Sequence, residues 1–224
     1  MAYQHARSHP YGELQKSEIK VTGEGSIFVQ PNRAKIVLGV ETDGLQLEEA
    51  QEENSKKISQ IIRGLTTMGI LEENIQTTNF SIFPMYDFVD GRQIFRGYRI
   101  EHLLQITVQN TDQVGLVVDT AVQNGANRVS NISFHLSNPR EAYHQALKMA
   151  VEDAIQKANT IAATLHVHLI QIPFKVMEEP LRAEGPIPFM ESQMVKAAAT
   201  TEIEPGKQEI RAIVTAIFSS WANA

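Results

Sequence analysis

VTGEGSIFVQP, residues 21–31, sets two glycines around a glutamate inside an apolar run. A phosphate cradle and a bent strand both use glycine in this way. A dinucleotide fingerprint needs G-x-G-x-x-G between a strand and a helix, so that the pyrophosphate meets a helix N-terminus. Here Phe28 stands at the third glycine position and strand character continues to Pro31, with no helix start. Gly23-Glu24-Gly25 is therefore read as backbone relief, a bulge or twist within a long strand.

The neighbouring residues extend that reading. Ile19 and Val21 alternate with Lys20 and Thr22, and Ala34, Ile36, Leu38 and Val40 alternate with Arg33, Lys35, Val37 and Gly39. Period two across the turn signal Pro31-Asn32 predicts an antiparallel hairpin over 18–30 and 33–42. Asp43, with Gln46 three residues on, predicts a helix cap, and the apolar spacing from Leu47 to Met68 predicts a helix over 45–68 closed by Gly69. NIQTTNFSIFPMY (74–86) reads as a strand broken by Pro84. Asp90-Gly91 marks a turn, and Tyr98, Ile100, His102, Leu104, Ile106 and Val108 form the clearest half-buried strand.

Thr111 or Asp112 starts a shorter helix that Gly125 ends, and 127–137 is a strand. The helix–Gly69–TTNFSIF and helix–Gly125–SNISFHL passages share one plan. Asn138, Pro139 and Glu141 form a strong helix start. Alanine then recurs every fourth residue from Ala142 to Ala162, a smooth stripe that lets a backbone approach closely. Residues 169–178 read as a strand. Residues 179–206 lose all periodicity and hold four prolines, and 208–221 form the last strand. The fold class is α+β, with antiparallel-rich sheet and three helices in the order β-β-α-β-β-α-β-α-β-β. Residues 1–17 are expected to be a disordered arm, and 18–221 one domain carrying 179–206 as an irregular insertion.

Composition narrows the function. The net charge of −6 offers nothing to offset phosphate repulsion, so nonspecific nucleic-acid binding is disfavoured. Arg92, Arg96 and Arg99, interleaved with Phe95 and Tyr98, read as a solvated strand face before they read as an anion site. The chain has no cysteine, which removes disulfides, thiolate metal sites and cysteine nucleophiles. No apolar run is long enough to span a membrane. The first residues lack the apolar core of a secretory signal, so the chain as given reads as cytoplasmic; a trimmed precursor of an envelope protein would read the same.

Little reaction chemistry is legible. His166 and His168 could share a strand face, but no third metal ligand stands at a recognisable spacing. His102 falls on an apolar face and reads as a satisfied interior histidine. No nucleophile elbow or P-loop occurs. No catalytic residue, cofactor or metal is expected.

The segments VTGEGSIFVQPNRAKIVLGV, GILEENIQTTNFSIFPMY, GYR, NGANRVSNISF, AVEDAIQKANTIA and TEIEPGKQEIRAIVTAIF follow one another over about residues 18–220. In that order they resemble the SIMPL-domain family. The positions that match its motifs are Gly23, Gly25, Pro31, Gly69, Gln76, Thr77, Pro84, Tyr86, Gly97, Tyr98, Gly125, Ala126, Asn127, Pro205 and Gly206. Most are turn, cap or bulge types, a signature of fold. The resemblance implies a mainly bacterial family without agreed catalytic residues. It also implies envelope-associated members that often carry a signal peptide, links to stress tolerance, and oligomeric ring- or channel-like assembly among relatives. This chain departs from many members in showing no signal segment.

Three readings follow. The first is a non-enzymatic homo-oligomer of this family with a role in stress protection, whose contacts use Phe189, Met190 and Met194; the alternative for that segment is that it covers its own sheet. The second is a ligand-binding protein or cryptic enzyme, with a pocket between the sheet and residues 179–206 and with His102, Tyr98 and Arg99 as suspects. The third is an adaptor that binds another protein through the loop or a sheet edge.

Overall fold

The computed structural model describes residues 16–179 and 201–222. Eight strands and three helices follow one another as β1 (Lys16–Val29), β2 (Arg33–Gly44), α1 (Leu47–Thr67), β3 (Ile75–Val89), β4 (Arg92–Val108), α2 (Val114–Gln123), β5 (Arg128–His135), α3 (Pro139–Thr164), β6 (Val167–Leu169), β7 (Lys175–Glu178) and β8 (Gln208–Ala222). This is the expected α+β class. The span expected as one domain holds two compact units. Among the described residues one comprises 16–29, 138–179 and 209–222, and the other 30–137 and 201–208.

In the first unit the sheet order is β1-β8-β6, with β7 also paired to β8. Contacts from Ser17 to Ser220 and from Ser26 to Glu209 make β1 and β8 antiparallel. The buried face carries Ile19 and Val21 of β1 and Ala212, Val214, Ala216 and Phe218 of β8. Against it lies α3, whose six stripe alanines, Ala142 to Ala162, are all buried. Asn138 caps α3 by accepting a hydrogen bond from the Glu141 amide, with Pro139 in the first turn, as the local sequence predicts.

The glycines of the opening stretch find their reason in this packing. A Cβ on Gly23 would fall 2.0 Å from the Ala150 carbonyl oxygen and 2.6 Å from the Ala154 nitrogen. A Cβ on Gly25 would fall 2.1 Å from the Ala146 carbonyl oxygen. Strand and helix therefore meet backbone against backbone, glycine on one side and alanine on the other. The expected bulge or twist is replaced by close approach.

In the second unit the order is β3-β4-β2-β5, and each neighbouring pair is antiparallel. Ala34, Ile36, Leu38 and Val40 of β2 and Leu104, Ile106 and Val108 of β4 meet Ile58, Ile61 and Leu65 of α1 and Val114, Val117 and Ala121 of α2. Each large aliphatic side chain fully buried here contributes about 1.5–3 kcal/mol over exposure. Gly69 and Gly125 hold φ of +100° and +104° just beyond α1 and α2, the left-handed stops expected of them. The two helix–glycine–strand passages deliver β3 and β5, the two edge strands of this sheet. Thr201 is bound to α2, its hydroxyl donating to Asp119 Oδ1 at 2.6 Å, and Ile203 packs against the core. Gly206, at φ +55°, follows Pro205 shortly before β8 begins.

Several local expectations are corrected. β1 and β2 form no hairpin, since they belong to different sheets. Asn32 turns instead to the end of β5, its amide nitrogen donating to Ser137 Oγ and its oxygen accepting from the Ser137 N–H, each at 2.8 Å. Asp43 caps nothing: β2 runs on to Gly44, and α1 starts at Leu47 without a side-chain cap. Pro84 does not break its strand, because β3 is an edge strand and proline is tolerated there. The strand expected over 169–178 is two short ones. Ile170 and Phe174 donate to the carbonyls of Ser219 and Ile217, so Gln171, Ile172 and Pro173 bulge out between them. Lys16 and Ser17, expected within an arm over residues 1–17, belong to β1; residues 1–15 lie outside the described residues.

Candidate self-association surface

β4 is longer than its partner β2. Their ladder ends at Gly44 opposite Tyr98, while β3 and β4 pair on from Met85–Gly97 to Val89–Arg92. Beyond Tyr98 the sheet is thus a two-stranded ribbon with its turn at Asp90-Gly91. Apolar side chains occupy both of its faces. Tyr86 is opposite Phe95, and the next pair, Asp87 with Ile94, points the other way. Phe83, Tyr86, Phe88, Val89, Ile94 and Phe95 are all exposed, Phe88 to 78%. Edge-to-face contacts link Tyr86 to Phe95 at 5.7 Å and Phe95 to Tyr98 at 5.2 Å, which stiffens the ribbon without covering it. A two-stranded ribbon is marginal alone in water. Exposed apolar side chains grouped in this way make the ribbon the candidate contact surface.

Arg96 and Arg99, of the three arginines on β4, have carboxylate partners. Arg99 forms a bidentate pair with Asp43, both contacts at 2.8 Å, and reaches Glu41 at 3.3 Å. The Arg99 guanidinium holds the Asp43 carboxyl below its ordinary range. Arg96 lies 3.6 Å from Asp87. Arg128 joins the same group, 3.2 Å from Glu101, and Glu101 accepts from Asn79 at 2.8 Å. Glu41, Asp43 and Glu101 thus outnumber Arg99 and Arg128 by one, and an anion there would have to displace a carboxylate.

The three residues suspected of binding a ligand are not brought together. Tyr98 and His102 share the core-side face of β4, while Arg99 points to the opposite face. His102 is half-buried, bonded to Thr77 Oγ1 at 3.1 Å and edge-on to Phe80 at 5.2 Å; burial pushes its imidazole pKa down. His166 sits in the turn after α3 at φ +55°, whereas His168 lies on β6 and stacks on Trp221. Among the described residues no group of three or more His, Cys, Asp or Glu side chains is placed to hold a metal ion. Among them also, no helix is long and apolar enough to cross a membrane. Phe189, Met190 and Met194 lie outside the described residues.

Asn127 has a role that its motif position does not reveal. Its side-chain oxygen accepts from the Glu41 N–H at 2.7 Å and its amide donates to the Glu41 carbonyl at 2.8 Å. Its own N–H donates to the Gly39 carbonyl. The side chain thereby continues the β2–β5 ladder by one rung where β5 has not yet begun. Asn127→Ala is expected to cost about 1–2 kcal/mol, because two exposed hydrogen bonds are lost. Urea unfolding checks this.

The geometry defines a class first: a two-sheet α+β protein in which glycine, proline and asparagine shape the main chain and a projecting ribbon carries exposed apolar side chains on both faces. The chain belongs to the SIMPL family (protein of unknown function, DUF541), whose model matches residues 19–218. It is similar to the 26 kDa periplasmic immunogenic protein of Brucella melitensis biotype 1, at 27% identity over 91% of this chain and 85% of that one. It is also similar to the protein YggE of Escherichia coli strain K12, at 26% identity over 66% of this chain and 60% of that one. A third relative is the human interleukin-1 receptor-associated kinase 1-binding protein 1, at 22% identity over 88% of this chain and 74% of that one.

Proposed function

We propose that this is a non-enzymatic, self-assembling protein whose β3–β4 ribbon makes the contact between copies. The observation that carries the reading is the apolar surface on both faces of a ribbon that extends past its sheet. A second copy is the favoured occupant because the ribbon balances its own charge. Asp87 and Asp90 against Arg92 and Arg96 sum to zero in a chain of net charge −6. Two identical ribbons related by a twofold axis can set each aspartate near an arginine while apolar faces meet. The name of the Brucella relative supports an envelope location for this chain in preference to the cytoplasm. The family resemblance adds stress protection as the role of such an assembly. The adaptor reading would use the same surface with a different partner.

The absence of cysteine makes a direct test available. Asp90→Cys at the ribbon turn should form covalent dimers under mild oxidation at micromolar concentration, whereas Glu49→Cys on α1 should not. Equal cross-linking in the two variants, or none in Asp90→Cys, would count against the ribbon as the contact.

A further inference from the structure

Among the described residues β1 has one strand neighbour, β8, so its other edge carries backbone groups that no ladder uses. Side chains of α3 take two of them. Lys157 Nζ donates to the Thr22 carbonyl oxygen at 2.9 Å, and the Glu24 N–H donates to Asp153 Oδ2 at 2.9 Å. Asp153 and Lys157 are themselves 2.7 Å apart. The order of these contacts is that of a strand. In a parallel ladder one residue of the added strand donates to the carbonyl before its partner residue and accepts from the N–H after it. Thr22 and Glu24 are the residues before and after Gly23, so the ion pair presents one residue's worth of parallel strand. The missing Cβ of Gly23 brings α3 near enough for both side chains to reach the edge. Around them lies an open groove of about 620 Å³, with Val21 and Ile161 as apolar wall and Gln156 and Thr160 as polar rim.

We propose that Asp153 and Lys157 act as a surrogate strand that closes this stretch of the β1 edge against pairing with another strand. A solvent-facing i,i+4 ion pair adds little stability by itself. Its value here lies in occupying edge groups that otherwise act as a template for another chain. The inference stands on β1 and α3 alone and does not depend on the ribbon.

The test uses the purified full chain. D153A/K157A should raise the population of higher-order, thioflavin-T-positive species roughly tenfold or more over wild type, with helical circular dichroism retained. D153K/K157D keeps an ion pair on the helix but offers each backbone group the wrong partner, so it should open the edge as well. Adding Glu24→Pro to either variant removes the edge N–H and should return assembly to the wild-type level. Wild-type assembly in the swapped variant would overturn the proposal, as would assembly that Glu24→Pro leaves unchanged.

Discussion

Gly23→Val is expected to destabilise the unit built on β1 and α3 by about 3 kcal/mol or more, enough to leave much of it unfolded at 37 °C. The valine Cβ would lie 2.0 Å from the Ala150 carbonyl oxygen and 2.7 Å from the Ala154 Cβ. Both neighbours belong to a continuous helix, so relief requires α3 to move as a body and to give up its contact with β1. Gly25→Val meets the same obstacle at Ala146. Gly69→Ala provides the contrast: nothing lies within 4 Å of its Cβ, and only the left-handed backbone at φ +100° opposes it. Its cost should be about 1 kcal/mol. Thermal unfolding of the three variants should rank Gly69→Ala closest to wild type. If Gly23→Val matched Gly69→Ala, close strand–helix approach would not be what holds β1 to α3.

The second large effect concerns assembly. Phe88→Ser, Ile94→Ser and Phe95→Ser together should weaken self-association roughly a hundredfold or more while the thermal midpoint moves little. The loss is large because apolar side chains from both faces of the ribbon are removed. Each is worth about 1.5–3 kcal/mol when fully buried at a contact. The fold is spared because none of the three belongs to the buried core of either unit. An analogous triple change on an exposed helix face, Glu49, Glu52 and Lys56 to Ser, should leave association unchanged.

What is legible in the sequence divides along a physical line. Local devices are readable because a few neighbouring residues complete them. Asn138 and Pro139 start α3, Gly69 and Gly125 stop α1 and α2, and the alanine stripe announces a helix packed close to its support. Strand periodicity is equally clear in β2 and β4. Period two says which face of a strand is buried and not which strand lies beside it. Hence β1 and β2, adjacent in sequence, read as a hairpin although Asn32 turns to Ser137. Asp43 shows the same limit: its carboxylate would serve as a cap, but the ladder places it opposite Arg99, and the ion pair prevails. Asn127 is visible as a motif position, while its clamp on Glu41 needs the register of β2 to be known.

The sequence directs attention to Phe189, Met190 and Met194, which lie outside the described residues, because a loss of pattern draws more weight than an excess of apolar residues. A signal for the ribbon is nonetheless present. From Phe80 to Phe95 the apolar residues occupy both parities around the Asp90-Gly91 turn. A half-buried strand alternates; one that does not alternate is covered on both faces or waits for a partner.

The most direct check is the absolute mass of the unmodified protein by multi-angle light scattering over a hundredfold range of concentration. The expected result is a discrete multimer that dissociates on dilution and is lost in the ribbon triple variant. A mass equal to a single chain at every concentration would contradict it, as would a multimer that the triple variant keeps intact.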